Sequence, residues 1–243
     1  MKKIINGGGE DAGSLFIITD SESAAEYAVS SGAACAGLMS GNLRKSFSGV
    51  LYCIEDIEFM TYEKIFRMWQ RYHGIPWTIA VTERLVIMEH SLDDVAELYG
   101  LYDDEAAKYT EAPYDDPKDE AEYLERYIKN QYRFYEFGTW ALRLRENNKL
   151  IGRAGINLRD GYDIPEIGYI IGKGYRGQGY AKEAVSSVIG YGMEEFGFDA
   201  YMAFTKERNI PSVRLLESLG FEKRGHGLIM GSEHAMYILT KMQ

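Results

Sequence analysis

The run Gly172-Lys173-Gly174-Tyr175-Arg176-Gly177-Gln178-Gly179-Tyr180-Ala181 is the part of the chain best suited to hold a charged ligand. It follows an apolar stretch, 166–171, with strand character, and it precedes a strongly periodic helix from Lys182 to Phe196. A glycine-rich turn ahead of a helix leaves several backbone N–H groups unpaired and pointing one way. The helix dipole adds partial positive charge at the same place. Residues without side chains let an anion approach, so phosphate is the group this turn suits. The four histidines, His73, His90, His226 and His234, have no metal-ligand spacing with Cys or acidic partners, so no zinc site is expected.

The elements that must position this turn fall into two blocks. The first, 1–80, reads as strand 14–19, helix 21–31 closed by Gly32, strand 33–39, a polar loop 40–49, strand 50–54 and helix 61–73. That alternation predicts a small Rossmann-like α/β domain with a parallel sheet. The second block, 83–243, opens with strand 84–89 and a capping-box pattern at Ser91-Leu92-Asp93-Asp94. A charged segment with Pro113 and Pro117 precedes a helix over 119–134. Strands are predicted at 139–144, 150–158, 166–171, 200–205, 222–225 and 235–240, with a short helix at 212–219. Glu146-Asn147-Asn148-Lys149 reads as a hairpin turn.

The bulk composition narrows the function classes. The chain has 243 residues, 46% of them hydrophobic and 26% charged, which is ordinary for one large or two small globular domains. A net charge of -10 argues against a nucleic-acid surface, which needs clustered Lys and Arg. It suits a soluble protein and, weakly, a cationic substrate. Cys35 and Cys53 lie in apolar runs and read as free thiols of a reducing compartment. The start, Met1 to Gly9, turns polar at once, unlike a signal peptide, and no apolar run reaches a membrane span. A cytoplasmic protein is expected, with no membrane or nucleic-acid partner.

Arg176-x-x-Gly179-x-Ala181 matches the Arg/Gln-x-x-Gly-x-Gly/Ala signature of the GNAT superfamily of N-acetyltransferases. Asn209 and Leu219-Gly220-Phe221 follow in that family's order of strand, Asn, short helix and Gly-Phe. Residues 83–243 resemble the family throughout, most of all the branch that acetylates N-terminal amines of ribosomal proteins. The resemblance implies an α/β (α+β) fold with a mixed, splayed central sheet flanked by helices. It implies acetyl-CoA as cosubstrate, with the diphosphate on the amides of Arg176, Gly177, Gln178, Gly179, Tyr180 and Ala181. The pantetheine arm would run along Ile170 and Ile171 and past Asn209, with the Ile171 amide donating to the thioester carbonyl. Asn209 reads equally as an Asn turn or cap. The acceptor implied is a primary amine, either a protein N-terminus or a small molecule such as a polyamine, amino sugar or drug. A non-catalytic acyl-CoA sensor is the rival reading.

Amines are largely protonated at neutral pH and must lose a proton to attack. Glu166 is the candidate base, acting directly or through water; the competing reading is a strand-end carboxylate in solvent or in an ion pair. Many relatives have a tyrosine just before Glu-x-x-Gly-Phe, proposed to protonate the departing thiolate, but Leu216 stands there in this chain. Ser212 is the substitute candidate, with a helix N-cap as its structural alternative. Tyr127, Tyr132, Tyr135 and Trp140 are candidates for an acceptor-pocket wall or for core packing. The acidic segment 103–119 could attract a basic acceptor or simply be solvated.

In the first block, Phe16 to Ser21, the alanine-rich helix and Ala36-Gly37-Leu38 resemble the C-terminal part of haloacid dehalogenase-like phosphatases. No Asp-x-Asp segment precedes Leu15, so an aspartyl-phosphate site would be incomplete. Asp20 then reads as a helix N-cap, and the block as a docking, ligand-sensing or homodimer-forming module.

Overall fold

The computed structural model describes residues 3–6, 14–39, 46–229 and 231–240. The chain divides into two compact units, Met1–Trp77 and Thr78–Gln243. Residues 78–80, expected in the first block, form part of a strand of the second unit.

The first unit comprises β1 (Lys3–Asn6), β2 (Leu15–Thr19), α1 (Glu22–Ser30), β3 (Ala34–Leu38), β4 (Tyr52–Ile54) and α2 (Tyr62–Tyr72). Its sheet has the order β1-β2-β3-β4, with β2, β3 and β4 parallel and β1 antiparallel. Phe16 and Ile18 join Ala34, Ala36, Ile54 and Ile65 in one core cluster, while Ile17 packs with Ala25, Ala28 and Cys35 in another. Successive β2 residues thus feed opposite faces, which is how a parallel sheet covered on both sides must be built. Ser21, not Asp20, caps α1, its Oγ accepting from the Ala24 N–H at 3.3 Å. The stretch 40–45 of the expected polar loop, and most of the polar start at 1–9, lie outside the described residues.

The second unit runs β5 (Thr78–Val81), β6 (Leu85–Met88), α3 (Val95–Leu98), α4 (Pro117–Tyr127), α5 (Arg133–Tyr135), β7 (Thr139–Leu144) and β8 (Leu150–Asn157). It continues with β9 (Glu166–Ile171), α6 (Tyr180–Phe196), β10 (Ala200–Thr205), α7 (Ile210–Ser218), β11 (Glu222–Ile229) and β12 (Ser232–Thr240). These strands form one sheet in the order β11-β12-β10-β9-β8-β7-β6-β5. The helix expected over 119–134 starts earlier, at Pro117 behind the Asp116 cap, and widens to a π-type turn over Ile128–Tyr132. The two closing strands are longer than the pattern predicts: β11 continues past Gly225 and Gly227, and β12 begins at Ser232, where it pairs with Ile229.

Every neighbouring pair in this sheet is antiparallel except β9 with β10. β10 pairs with β12 over six positions, Ala200↔Thr240 to Thr205↔Ala235. With β9 it pairs at one position, Met202↔Glu166, supported by Met202 N–H donating to the Pro165 carbonyl at 2.9 Å. Beyond that point the two strands separate, and the sheet opens.

The capping box at Ser91 forms and heads a tight turn, Leu92–Asp94. Its Asp94 carboxylate also takes His90 Nδ1 at 2.6 Å and pairs with Arg143 in the interior. Burial drives the His90 pKa down to about 4, against the opposing pull of its Asp94 bond. Burial also raises the Asp94 carboxyl, but hydrogen bonds from His90 and Arg143 outweigh it and hold the group below the usual range. A histidine near 6.5 when unfolded and about 4 when folded favours the native state fully above 6.5 and progressively less as pH falls toward 4. The second unit is therefore expected to lose up to about 3 kcal/mol over that interval. Thermal unfolding of His90→Gln between pH 6.5 and 4.5 should show a shallower decline in Tm than the native chain.

Candidate active site

α6 starts immediately after Gly179, which is left-handed at φ 85°, as is Gly177 at φ 75°. Side chains are strained in that conformation, which explains the glycines. No side chain caps the helix. Among the described residues, none accepts a hydrogen bond from the N–H groups of 177–182. The elbow therefore gathers six unpaired backbone donors at the positive end of a 17-residue helix.

Two arginines hold the elbow in place. Arg84, between β5 and β6, donates from Nη1 to the Gln178 carbonyl at 2.9 Å and from Nε to Glu183 at 2.7 Å. Its guanidinium lies 4.2 Å from the centroid of the Tyr180 ring. Glu183, in the first turn of α6, also accepts from the Thr82 hydroxyl at 2.6 Å and the Arg84 N–H at 2.9 Å. Arg176 donates from Nε to the Ile171 carbonyl at 2.8 Å and forks onto Asp103 at 2.9 and 3.2 Å. The Arg176 hydrogen bond, with one from the Ala106 N–H, pulls the Asp103 carboxyl down to about 2. The Arg176 side chain is thus a strut, and its own N–H donates to the Lys173 carbonyl at 3.4 Å, so the donors open to a ligand begin at Gly177.

The direction of the β9 backbone follows from its neighbours. The Gly172 N–H donates to the Ile151 carbonyl at 2.8 Å, so it faces β8. Backbone polar groups alternate sides along a strand, so the Ile171 N–H and C=O face away from β8, toward the gap where β10 has departed. Arg176 occupies that carbonyl; the N–H remains open to the gap.

A cavity of about 810 Å³ fills the gap. Its walls are Ile167 to Ile171, the elbow, Ala203 to Thr205 of β10, and α7 with Asn209, Ser212 and Leu216. A second cavity of about 620 Å³ is lined by Tyr102, Arg153, Asn157 and Tyr162, among others. Both include Arg159, Glu166, Gly168, Tyr169 and Ile170, so the two meet along β9.

The candidate residues fall as follows. Ile170, Ile171, Arg176, Gly177, Gly179, Tyr180 and Ala181 line the larger cavity with Asn209 and Ser212; Gln178 lies in the elbow but not in the wall, its side chain turned to the Gly174 carbonyl. Glu166 is in both walls, ion-paired through Oε2 with Arg159 Nε at 2.6 Å, while no described residue engages Oε1. Asn209 is the N-cap of α7, its side-chain oxygen accepting from the Ser212 N–H at 3.4 Å. Ser212 is therefore not the cap. It sits inside the first turn, with its hydroxyl 2.7 Å from that of Tyr169. Burial pushes the Tyr169 phenol up to about 12, partly offset by the Ser212 bond. Leu216 is buried and offers no proton.

The aromatic cluster behaves differently from the pocket-wall expectation. Tyr132 and Trp140 are fully buried, and neither they nor Tyr127 and Tyr135 line either cavity. Tyr127 accepts from the Thr139 N–H at 2.7 Å, and Tyr132 donates to the Thr139 carbonyl, so both pin the start of β7. The tyrosines of the smaller cavity are instead Tyr102, Tyr162 and Tyr169. Tyr102 and Tyr162 come from irregular segments that carry no periodicity to mark them. Tyr169 lies inside the apolar run of β9, which marks a strand and not a site.

Residues 84–222 match the acetyltransferase (GNAT) domain family. The chain belongs to the GNAT acetyltransferases. It is 31% identical over 147 residues to the uncharacterized N-acetyltransferase p20 of Bacillus licheniformis, a match covering 59% of this chain and 82% of that one. The fold is shared with the ribosomal-protein-S5-alanine acetyltransferase from Vibrio fischeri (TM-score 0.57, 18% identity, 67% of this chain and 96% of that one). It is shared also with the microcin C7 self-immunity acetyltransferase MccE, solved with acetyl-CoA and AMP (TM-score 0.56, 15% identity, 65% and 93% covered). This GNAT chain is accordingly an N-acetyltransferase with the mixed, splayed sheet of the family, and acetyl-CoA is its acyl donor. The donor set suits that molecule: unpaired amides beside left-handed glycines match a diphosphate.

Proposed function

We propose that the enzyme moves an acetyl group from acetyl-CoA to a primary amine that enters the smaller cavity. The observation that carries this reading is the meeting of two cavities along β9, with Glu166 in the wall of both. Acetyl-CoA lies in the larger cavity, its diphosphate on the unpaired amides that start at Gly177 and its pantetheine arm along Ile170 and Ile171 toward Asn209. The Ile171 N–H donates to the thioester carbonyl oxygen, where negative charge develops during attack.

Glu166 removes the ammonium proton through Oε1 or a water held there. Arg159 fixes the carboxylate by its other oxygen, so the ion pair orients the base rather than consuming it. Ser212 delivers a proton to the sulfur as the thiolate leaves, with the Tyr169 hydroxyl resupplying it across the 2.7 Å contact. A protein N-terminus would have to reach this chemistry as an extended chain, whereas a small amine fits within the cavity.

Two experiments test this reading. Gly179→Glu puts a carboxylate among the elbow donors, and acetyl-CoA affinity in calorimetry should fall at least about 100-fold. Gly179→Ala carries the backbone strain without the charge, about 1–2 kcal/mol, and should weaken binding far less. Equal losses in the two variants would remove the diphosphate assignment. For Glu166→Gln, kcat should drop about 100-fold near pH 7. The deficit should shrink as pH passes the acceptor's own pKa, about 8 for a peptide α-amine. A parallel pH profile for both enzymes would dismiss Glu166 as base, and acetyl-CoA binding without CoA release across a broad amine panel would favour the sensor reading.

A further inference from the structure

Arg153 stands opposite Ile170 in the β8–β9 ladder. Its face of the sheet also carries Gly155 and Asn157, with Gly168 and Glu166 across from them. The side chain lines the smaller cavity. Its guanidinium makes one hydrogen bond among the described residues, from Nη1 to the neutral Tyr102 hydroxyl at 3.3 Å, and its Nε is buried with no partner. No described carboxylate lies within 4.0 Å of it. The three carboxylates of this cavity are otherwise placed: Glu166 is held by Arg159, while Glu111 and Asp160 are exposed. Of the interior acids, Asp94 belongs to Arg143 and His90, Glu120 accepts from the Tyr114 N–H, and Glu89, whose charge acts with that of Arg153 on Tyr127 and Tyr132, lies beyond ion-pair distance of the guanidinium.

Arg153 is half-buried, and a guanidinium with its Nε buried and no described carboxylate beside it carries a desolvation cost that the single Tyr102 bond only partly offsets. The remaining donors form a fork suited to a carboxylate. We propose that the acceptor is a free α-amino acid, bound with its carboxylate on Arg153 and its amine beside Ile170 and Ile171. This rests on the reading of the smaller cavity as the acceptor site.

The chemistry fits the placement. Amine and carboxylate of an α-amino acid share one carbon, so the anion site must lie next to the reacting position. Arg153 meets that condition, one strand spacing of about 4.8 Å from the β9 backbone. The cavity, at about 620 Å³, leaves room for the amino-acid side chain to extend outward. There it would meet exposed Glu111 and Asp160, which disfavour an acidic side chain and tolerate a neutral or basic one. In a peptide N-terminus the carboxylate is replaced by a neutral amide, and Arg153 would stay uncompensated.

The test compares the twenty free L-amino acids with their C-terminal amides as acceptors, following CoA release with acetyl-CoA. At least one amino acid should exceed its own amide by about 10- to 100-fold in kcat/KM, the range for a charged hydrogen-bonded pair. Arg153→Met should erase that preference through KM, lowering kcat/KM for the free acid at least about ten times more than for its amide, and keep acetyl-CoA affinity, whereas Arg153→Lys should restore part of the preference. Because Arg153→Met removes an uncompensated cation, its Tm should hold or rise, where a merely structural arginine would give a fall. With CoA present, the preferred amino acid should raise the Tm of the native enzyme but not of Arg153→Met. Amides matching or surpassing every free acid, or an equal loss on both acceptor types in Arg153→Met, would overturn the assignment. Failure of the native protein to bind acetyl-CoA at all would instead strike the underlying transferase reading.

Discussion

β10 cannot stay beside β9. It shares six register positions with β12 on one side and one with β9 on the other, so its course is set by the closing hairpin. The consequence is a strand, β9, whose outward backbone groups have no protein strand to meet beyond Glu166. Exposed polar backbone in a concave, partly dry site is costly unless something pairs with it. One such group, the Ile171 carbonyl, is taken by Arg176; the Ile171 N–H stays open to the gap. The cleft, the direction of the donor and the site of attack all descend from this one interrupted ladder.

Holding such a gap open requires struts that do not themselves fill it. The arginines divide that work. Arg84 and Arg176 engage acids from distant segments, Glu183 and Asp103, and each also caps a backbone carbonyl of the cleft, Gln178 and Ile171. Each therefore satisfies acceptors near the anion site while leaving the N–H groups unpaired. Neither pair should be credited with much stability, since both lie partly in solvent, where ion pairs are worth little. Their effect is positional: they fix where the first turn of α6 begins.

What could be read from the sequence was the local part of this design. Gly177 and Gly179 announce a backbone conformation that other residues avoid, and the apolar run before them and the periodic run after them place the turn between strand and helix. Asn209 was legible both as a pantetheine neighbour and as a cap, but the choice between Asn209 and Ser212 as the cap of α7 was not, because a cap is defined by where the helix starts, and α7 starts at Ile210, two residues ahead of Ser212. The pairing of Glu166 with Arg159 depends on how the loop after β8 folds back, and the Tyr169–Ser212 contact joins residues 43 apart in sequence. The aromatic residues of 127–140 stayed open between wall and packing for a related reason. Aromatic density marks a place where large surfaces meet, and only tertiary packing decides whether that place is a wall or an interior.

The contrast between Arg159 and Arg153 is the last step. Both line the smaller cavity, and both come from the same stretch of chain, yet one is paired with Glu166 while the other, among the described residues, has a tyrosine hydroxyl and no carboxylate within ion-pair distance. A fold selected only for stability would have little reason to keep the second, because an apolar residue of similar size would pack there without the desolvation cost. Sites that violate such a local rule are where function is to be sought, because bound substrate can complete what the fold leaves open. The same asymmetry separates the two ends of an amino acid. In the proposed complex Glu166, oriented by its arginine, takes the ammonium proton, and Arg153, held by Tyr102 alone among the described residues, takes the carboxylate.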